Sequence, residues 1–214
     1  MEVELQFVYE GDGPLVVPLR LADLELERSS AGFLLDTYYD TEALDLRRAG
    51  CSLRVRQSDL SAQPCLTFKG PSRKQSRVKR RHEVEVDVES VPADADEMRA
   101  VLRDLHLEKT IERFAGLDGE AAPHPIGELR SHRSHHRYVH GLHRLDLTWD
   151  ELEFPTGPPQ VRLEVEAGSE LAERLLERAA AELLELFGEE RLSVPERGKT
   201  RELCERLYPE LLAA

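Results

Sequence analysis

Charged and apolar residues alternate along Arg81-His82-Glu83-Val84-Glu85-Val86-Asp87-Val88-Glu89, the period of a β-strand with one ionic and one apolar face. The device recurs near both ends of the chain, in Glu2-Val3-Glu4-Leu5-Gln6 and Arg162-Leu163-Glu164-Val165-Glu166. Cationic versions lie between, in Leu53-Arg54-Val55-Arg56 and Leu66-Thr67-Phe68-Lys69. For a single strand, a face turned to water is the plain reading. Several strands of mixed sign point elsewhere. If they pair in one sheet, carboxylates and guanidinium groups share a face, a composition suited to divalent metal and polyphosphate together.

The remaining pattern predicts an α+β chain. Strands are expected at 2–9, 15–19, 33–40, 52–58 and 64–69, with a short helix at 20–28 from Leu21, Leu24 and Leu26. Pro71 to Arg80 reads as a basic loop able to close over a bound polyphosphate, and the ionic strand follows at 82–89. Asp94, Asp96 and Glu97 open a helix of about 94–107. Residues 108–125 read as a short strand and a loop, and 126–138 with 142–152 as a hairpin about His140-Gly141. After a last strand at 160–167 the period changes. Leu171, Leu175, Leu176, Ala179, Leu183, Leu184 and Phe187 form the stripe of a helix of about 169–187, capped at Ser169 and stopped at Gly188, and a final helix is expected at 196–208. With no repeat and no low-complexity linker, one domain over 1–214 is expected.

Composition narrows the partners. A net charge of −13 on 214 residues repels a nucleic-acid backbone, so any phosphate site has to be a local basic cluster. Cys51, Cys65 and Cys204 are an odd number without CxxC spacing, which argues against a disulfide framework or structural zinc and for a reducing cytoplasm. No apolar run approaches the length of a membrane span. The expected partner is a small-molecule triphosphate, with neither nucleic acid nor membrane, and the expected state is a monomer or homodimer. His132, His135, His136, His140 and His143 fall on two predicted strands, where their rings do not converge on a metal as they would on a helix.

Taken together these motifs resemble the CYTH superfamily, also called triphosphate tunnel metalloenzymes, which includes class IV adenylyl cyclases, thiamine triphosphatases and inorganic triphosphatases. The resemblance is carried by Glu2-x-Glu4, Asp36-Thr37-Tyr38-Tyr39-Asp40-Thr41, Arg54-x-Arg56, Phe68-Lys69-Gly70-Pro71 and Arg81-x-Glu83-x-Glu85. It continues through Arg133, Asp150, Glu164-x-Glu166 and Lys199, nearly the whole chain. It implies a closed eight-stranded antiparallel β-barrel with a charged tunnel and helices packed outside. It also implies Mg²⁺ or Mn²⁺ held by Glu2, Glu4, Asp150, Glu164 and Glu166, and phosphate held by Arg54, Arg56, Lys69, Arg133 and Lys199. Glu4, Glu83, Glu85 and Arg56 become the candidate catalytic residues, and which carboxylate acts as base stays open. For Tyr39 and Asp40 a packing tyrosine and a strand-end turn are the favoured reading. The activity implied is hydrolysis of tripolyphosphate or thiamine triphosphate; a class IV adenylyl cyclase or a non-catalytic polyphosphate-binding module are the alternatives.

Two positions depart from the family pattern. Gln6 stands where the first strand usually carries a lysine, and His132 precedes Arg133 where a lysine is frequent. Taken alone, the first departure removes one cation, so Gln6→Lys is expected to raise turnover or tighten substrate binding.

Overall fold

In the computed structural model the described residues are 2–12, 15–75, 78–117, 122–167 and 172–212, without the side chains of 2, 73–75, 78, 172 and 212. The strands are β1 (Glu2–Tyr9), β2 (Arg20–Leu21), β3 (Leu24–Asp40), β4 (Ser52–Ser58), β5 (Cys65–Lys69), β6 (Arg73–Gln75), β7 (Val78–Arg81), β8 (Glu83–Asp87), β9 (His124–His140), β10 (His143–Glu153), β11 (Gln160–Ala167) and β12 (Leu192–Ser193). The helices are α1 (Asp45–Arg48), α2 (Ala95–Asp104), α3 (Glu108–Ala115), α4 (Ala172–Phe187), α5 (Lys199–Leu207) and α6 (Pro209–Leu212).

The sheet runs β6-β7-β1-β11-β10-β9-β3-β4-β5-β8, every pairing antiparallel. β7 pairs with β1 at one end of this order and β8 with β5 at the other, and only His82 separates β7 from β8. The sheet therefore curls into a nearly closed barrel whose ring is completed by the covalent chain. The strand expected at 82–89 runs only over Glu83–Asp87, and a separate strand, β7, forms before His82, which makes nine barrel strands where eight were expected. His82 is held there by Gly70 N–H, which donates to its carbonyl at 2.9 Å, and by a ring stacked on Phe114.

Strand parity sorts the side chains. On β1, β10 and β11, Leu5, Phe7, Leu147, Trp149, Leu163 and Val165 face outward into a core closed by Leu176, Ala179, Leu183 and Phe187 of α4. A second core joins Leu53, Val55, Leu66 and Phe68 to Met98 and Leu102 of α2 and Ile111 of α3. A third sets Tyr38, Leu129 and Leu152, which share the inward parity, against Leu203 and Cys204 of α5. That helix thus covers one end of the lumen. Burial pushes the Cys204 thiol up to about 12 and Cys51 to about 11, which leaves both as apolar packing groups.

Several local expectations change. No strand forms at 15–19, and the helix expected at 20–28 is instead β2, a two-residue turn and the start of β3. Leu21 and Leu24 pair across that turn, whose Ala22 and Asp23 have φ of 52° and 65°. Apolar residues three apart mark the two sides of such a turn as well as one face of a helix. Residues 108–115 are α3 rather than a strand, ended by Gly116 in the left-handed region as a helix C-cap. Part of the basic loop forms the β6–β7 hairpin. Asp94 caps α2 as its sequence predicts, accepting from Asp96 and Glu97 N–H, and Gly188, at φ 90°, follows the last turn of α4. Ser169 and Leu171 lie outside the described residues. Gly141, at φ 59°, opens the two-residue β9–β10 loop, where a primed turn matches the strand twist.

Candidate active site

Inward parity places Glu4 and Gln6 of β1, Asp36 of β3, Arg54 and Arg56 of β4, Lys69 of β5, Lys79 and Arg81 of β7, and Glu83 and Glu85 of β8 on one side of the wall. Arg133 of β9, Asp150 of β10, and Glu164 and Glu166 of β11 supply the other side. Lys199, the first residue of α5, enters from the covered end. A cavity of about 310 Å³ lies among them. Seven cations (Arg54, Arg56, Lys69, Lys79, Arg81, Arg133, Lys199) and four carboxylates (Glu83, Glu85, Glu164, Glu166) line it, and the buried Glu4, Asp36 and Asp150 behind them bring the carboxylates to seven as well. The cavity surface is therefore richer in cationic than in acidic groups although the chain carries −13.

Two buried aspartates hold the arginines in place. Asp36 accepts from Arg56 Nε and Nη2 at 2.6 and 2.8 Å and from Arg54 Nη1 at 3.2 Å. Asp150 accepts from Arg133 Nε and Nη2 at 2.6 and 2.7 Å and from Lys199 Nζ at 2.5 Å. Burial alone would raise both carboxyls, yet Arg54 and Arg56 hold Asp36 far below the carboxylate range, and Lys199 and Arg133 bring Asp150 to about 2. In the same exchange burial would lower Arg54 and Arg133, and their aspartates raise them instead. The pairs are fixed charges at any ordinary pH. Arg54 Nε is buried without a hydrogen-bond partner among the described groups, a donor in the cavity wall that an anion oxygen would satisfy.

The acidic corner is built differently. One carboxylate oxygen each of Glu4, Glu164 and Glu166 lies within 4.8 Å of the others. β1 and β11 bring them together, with Glu4 opposite Glu166 and Gln6 opposite Glu164. Lys199 Nζ lies 3.0 Å from Glu164, and Arg81 Nη2 lies 2.7 Å from Glu4. Against the cost of burial, Lys199, Arg133 and Lys69 hold Glu164 well below the carboxylate range. Three carboxylate oxygens converging within 4.8 Å of one another fit a hard divalent cation by donor chemistry and number. On β5 and β8, Lys69 Nζ pairs with Glu83 at 2.8 Å, and Thr67 Oγ1 donates to Glu85 at 3.3 Å.

Of the candidate metal ligands, Glu4, Glu164 and Glu166 converge. Asp150 does not join them, its two oxygens being occupied by Arg133 and Lys199. The side chain of Glu2 lies outside the described residues. The expected phosphate cations Arg54, Arg56, Lys69, Arg133 and Lys199 all line the cavity, as do Glu83 and Glu85. Lys79, expected only as part of the basic loop, and Arg81, expected in the family motif without a role of its own, also line it, while Asp36 of the same family pattern stands behind Arg54 and Arg56 as their anchor. Parity with Glu83 was the available signal for the first two. The histidines disperse: His135 pairs with Asp146, His136 with Ser29, and His132 packs on Phe33.

A charged lumen inside an antiparallel barrel, with a basic wall facing an acidic corner, defines a tunnel protein built to take a small anion. The particular family follows from comparison, since the CYTH domain profile matches residues 1–198. The chain belongs to the CYTH family. No curated protein matches its sequence. Among solved structures it is similar to HpAC1 from Hippeastrum, nominally an adenylyl cyclase and described as having a dominant triphosphatase activity, at 21% identity over 99% of each chain with a TM-score of 0.67. It is also similar to PH1819 from Pyrococcus horikoshii, at 20% identity over 96% of this chain and 99% of that one, with a TM-score of 0.56. A nominal adenylate cyclase from Vibrio parahaemolyticus matches at 18% identity over 100% and 98%, with a TM-score of 0.55. At these identities the likeness is one of fold. Among the described residues no helix is long and apolar enough to cross a membrane.

Proposed function

We propose that the protein is a metal-dependent triphosphatase that releases inorganic phosphate from a small triphosphate, tripolyphosphate or thiamine triphosphate. One observation carries the reading: a single cavity joins a wall of seven cationic groups to a corner where three carboxylates meet. A triphosphate brings about four negative charges, and fixed guanidinium and ammonium groups compensate them without reorganising. Arg54, Arg56, Lys69, Arg133 and Lys199 bind and orient the phosphates. Glu4, Glu164 and Glu166 would hold Mg²⁺ or Mn²⁺, which supplies charge neutralisation at phosphate oxygens and the leaving group. Glu83 and Glu85 of β8 line the same cavity and orient the attacking water. Its oxygen bonds to the terminal phosphorus as the bridging P–O bond breaks, its proton passes to a wall carboxylate, and phosphate and the shortened phosphate chain leave.

The lining favours hydrolysis over cyclisation. Apart from Gly198, every described lining residue is charged or carries a hydrogen-bonding side chain, and Tyr38 is the one aromatic ring. Such a wall recognises phosphates, whereas a cyclase also has to hold a purine and aim a ribose hydroxyl. Incubating the protein with tripolyphosphate, thiamine triphosphate and ATP, each with Mg²⁺ or Mn²⁺, tests the assignment. Phosphate release from one or more, without cyclic nucleotide from ATP, is expected; cyclic AMP as the main product overturns it.

A further inference from the structure

Gln6 is buried between groups of opposite sign. Its Nε2 donates to Glu4 Oε2 at 3.1 Å and to Glu164 Oε1 at 2.9 Å, while its Oε1 accepts from Lys79 Nζ. Only this orientation of the amide is satisfactory. Turned over, it would aim an oxygen at two carboxylates and an NH₂ at an ammonium that can only donate. Neither a carboxylate nor an ammonium at position 6 can serve both ends. The first would repel Glu4 and Glu164, and the second would repel Lys79. β7 brings Lys79 to this point, since its Cα lies opposite Glu4, and its parity with Arg81 turns it into the same cavity as Arg54 and Arg133.

We infer that Lys79 is a further substrate-phosphate cation and that Gln6 is its positioning residue, a neutral link tying the lysine of β7 to the carboxylates of β1 and β11. The pair sets an ammonium over the acidic corner, where the phosphate nearest Glu4 and Glu164 would lie. This rests on the triphosphatase reading of the cavity and deepens it. It also reverses the expectation for strand β1 taken alone: the cation that seems missing at position 6 is supplied from β7. A lysine added at position 6 crowds Lys79 instead of helping it.

The test is calorimetric titration with tripolyphosphate in chelator, so that no divalent cation contributes, at fixed ionic strength. Thermal unfolding of each variant checks that it folds. Lys79→Gln and Gln6→Lys are each expected to weaken binding by roughly tenfold or more, the size of a lost hydrogen bond to a charged group. The exchange Gln6→Lys/Lys79→Gln restores one ammonium and one amide and is expected to recover most of the affinity; Lys79→Arg keeps it. Non-additivity of this kind is what a directly interacting pair shows. Both single variants binding like the parent, or the exchange binding worse than either, overturns the inference while the reading of the cavity stands. A parent protein that does not bind tripolyphosphate overturns both.

Discussion

The basic wall and the acidic corner of the lumen are made from the same strand pattern, yet they solve opposite problems. On the wall each arginine is backed by an aspartate more deeply buried than itself: Asp36 is 2% exposed behind Arg54 and Arg56, and Asp150 is 1% exposed behind Arg133. These pairs are complete within the protein and act as rigid donors. In the corner, three carboxylates on two strands crowd one point, with Lys199, Arg133, Arg81 and the neutral Gln6 among the groups beside them. The wall presents donors to an anion, whereas the corner presents carboxylate oxygens suited to a divalent cation. A charged lumen is therefore no uniform property. On the proposed reading, the side that keeps its counter-charges behind it would take the substrate, and the side that brings like charges together would take the metal.

That contrast is broken most severely by removing an anchor. Asp150→Ala removes the bidentate partner of Arg133 and leaves Arg133 and Lys199 sharing Glu164, at a cost of up to about 3–5 kcal/mol. Denaturant unfolding should show it as a lower midpoint at unchanged slope. Arg56→Ala leaves Asp36 with Arg54 and deletes a wall donor, so kcat/KM for triphosphate should fall by roughly 10²–10³, while the unfolding midpoint moves much less.

Glu166→Gln separates the corner from the wall. It should raise the metal concentration needed for half-maximal rate by about 10–100-fold and leave metal-free binding of tripolyphosphate nearly unchanged. An equal loss of metal-free binding would mean that the corner and the wall are one site. The smallest effect is on acid stability. Asp36 and Asp150 both have carboxyls depressed in the folded state, Asp150 to about 2. Their contribution is complete above the ordinary carboxylate pKa and is lost as pH falls from near 4 toward 2. Asp150→Asn should flatten that part of the stability–pH curve.

Much of this arrangement was legible in the residues because strand parity is local: Glu164 and Glu166, two apart, necessarily face the same way. What stayed hidden depends on register. Asp36 becomes an anchor because β3 sets it opposite Arg56, and Asp150 because β10 sets it opposite Arg133. Nothing in either segment alone distinguishes a buried anchor from a metal ligand. The break at His82 was invisible for the same reason, since an alternating run looks continuous whether one neighbour or two share it. Asp40 conforms to its local reading as a turn residue, its oxygens accepting from the N–H groups of Thr41, Leu46 and Arg47. The turn at Ala22-Asp23 differs from its expectation because three-residue spacing fits more than one structure, and helix α3 because Gly116, Gly119, Pro123 and Pro125 make 108–125 look like strand and loop, although a helix fits whole between Leu107 and Gly116.

The most direct test is phosphate release from tripolyphosphate as Mg²⁺ or Mn²⁺ is titrated into metal-free protein. The structure predicts release that is negligible in chelator, rises to saturation with metal, and yields phosphate and diphosphate in equal amounts. Tight binding of tripolyphosphate with no release at any concentration of either metal would contradict the account and make the tunnel a polyphosphate-binding module.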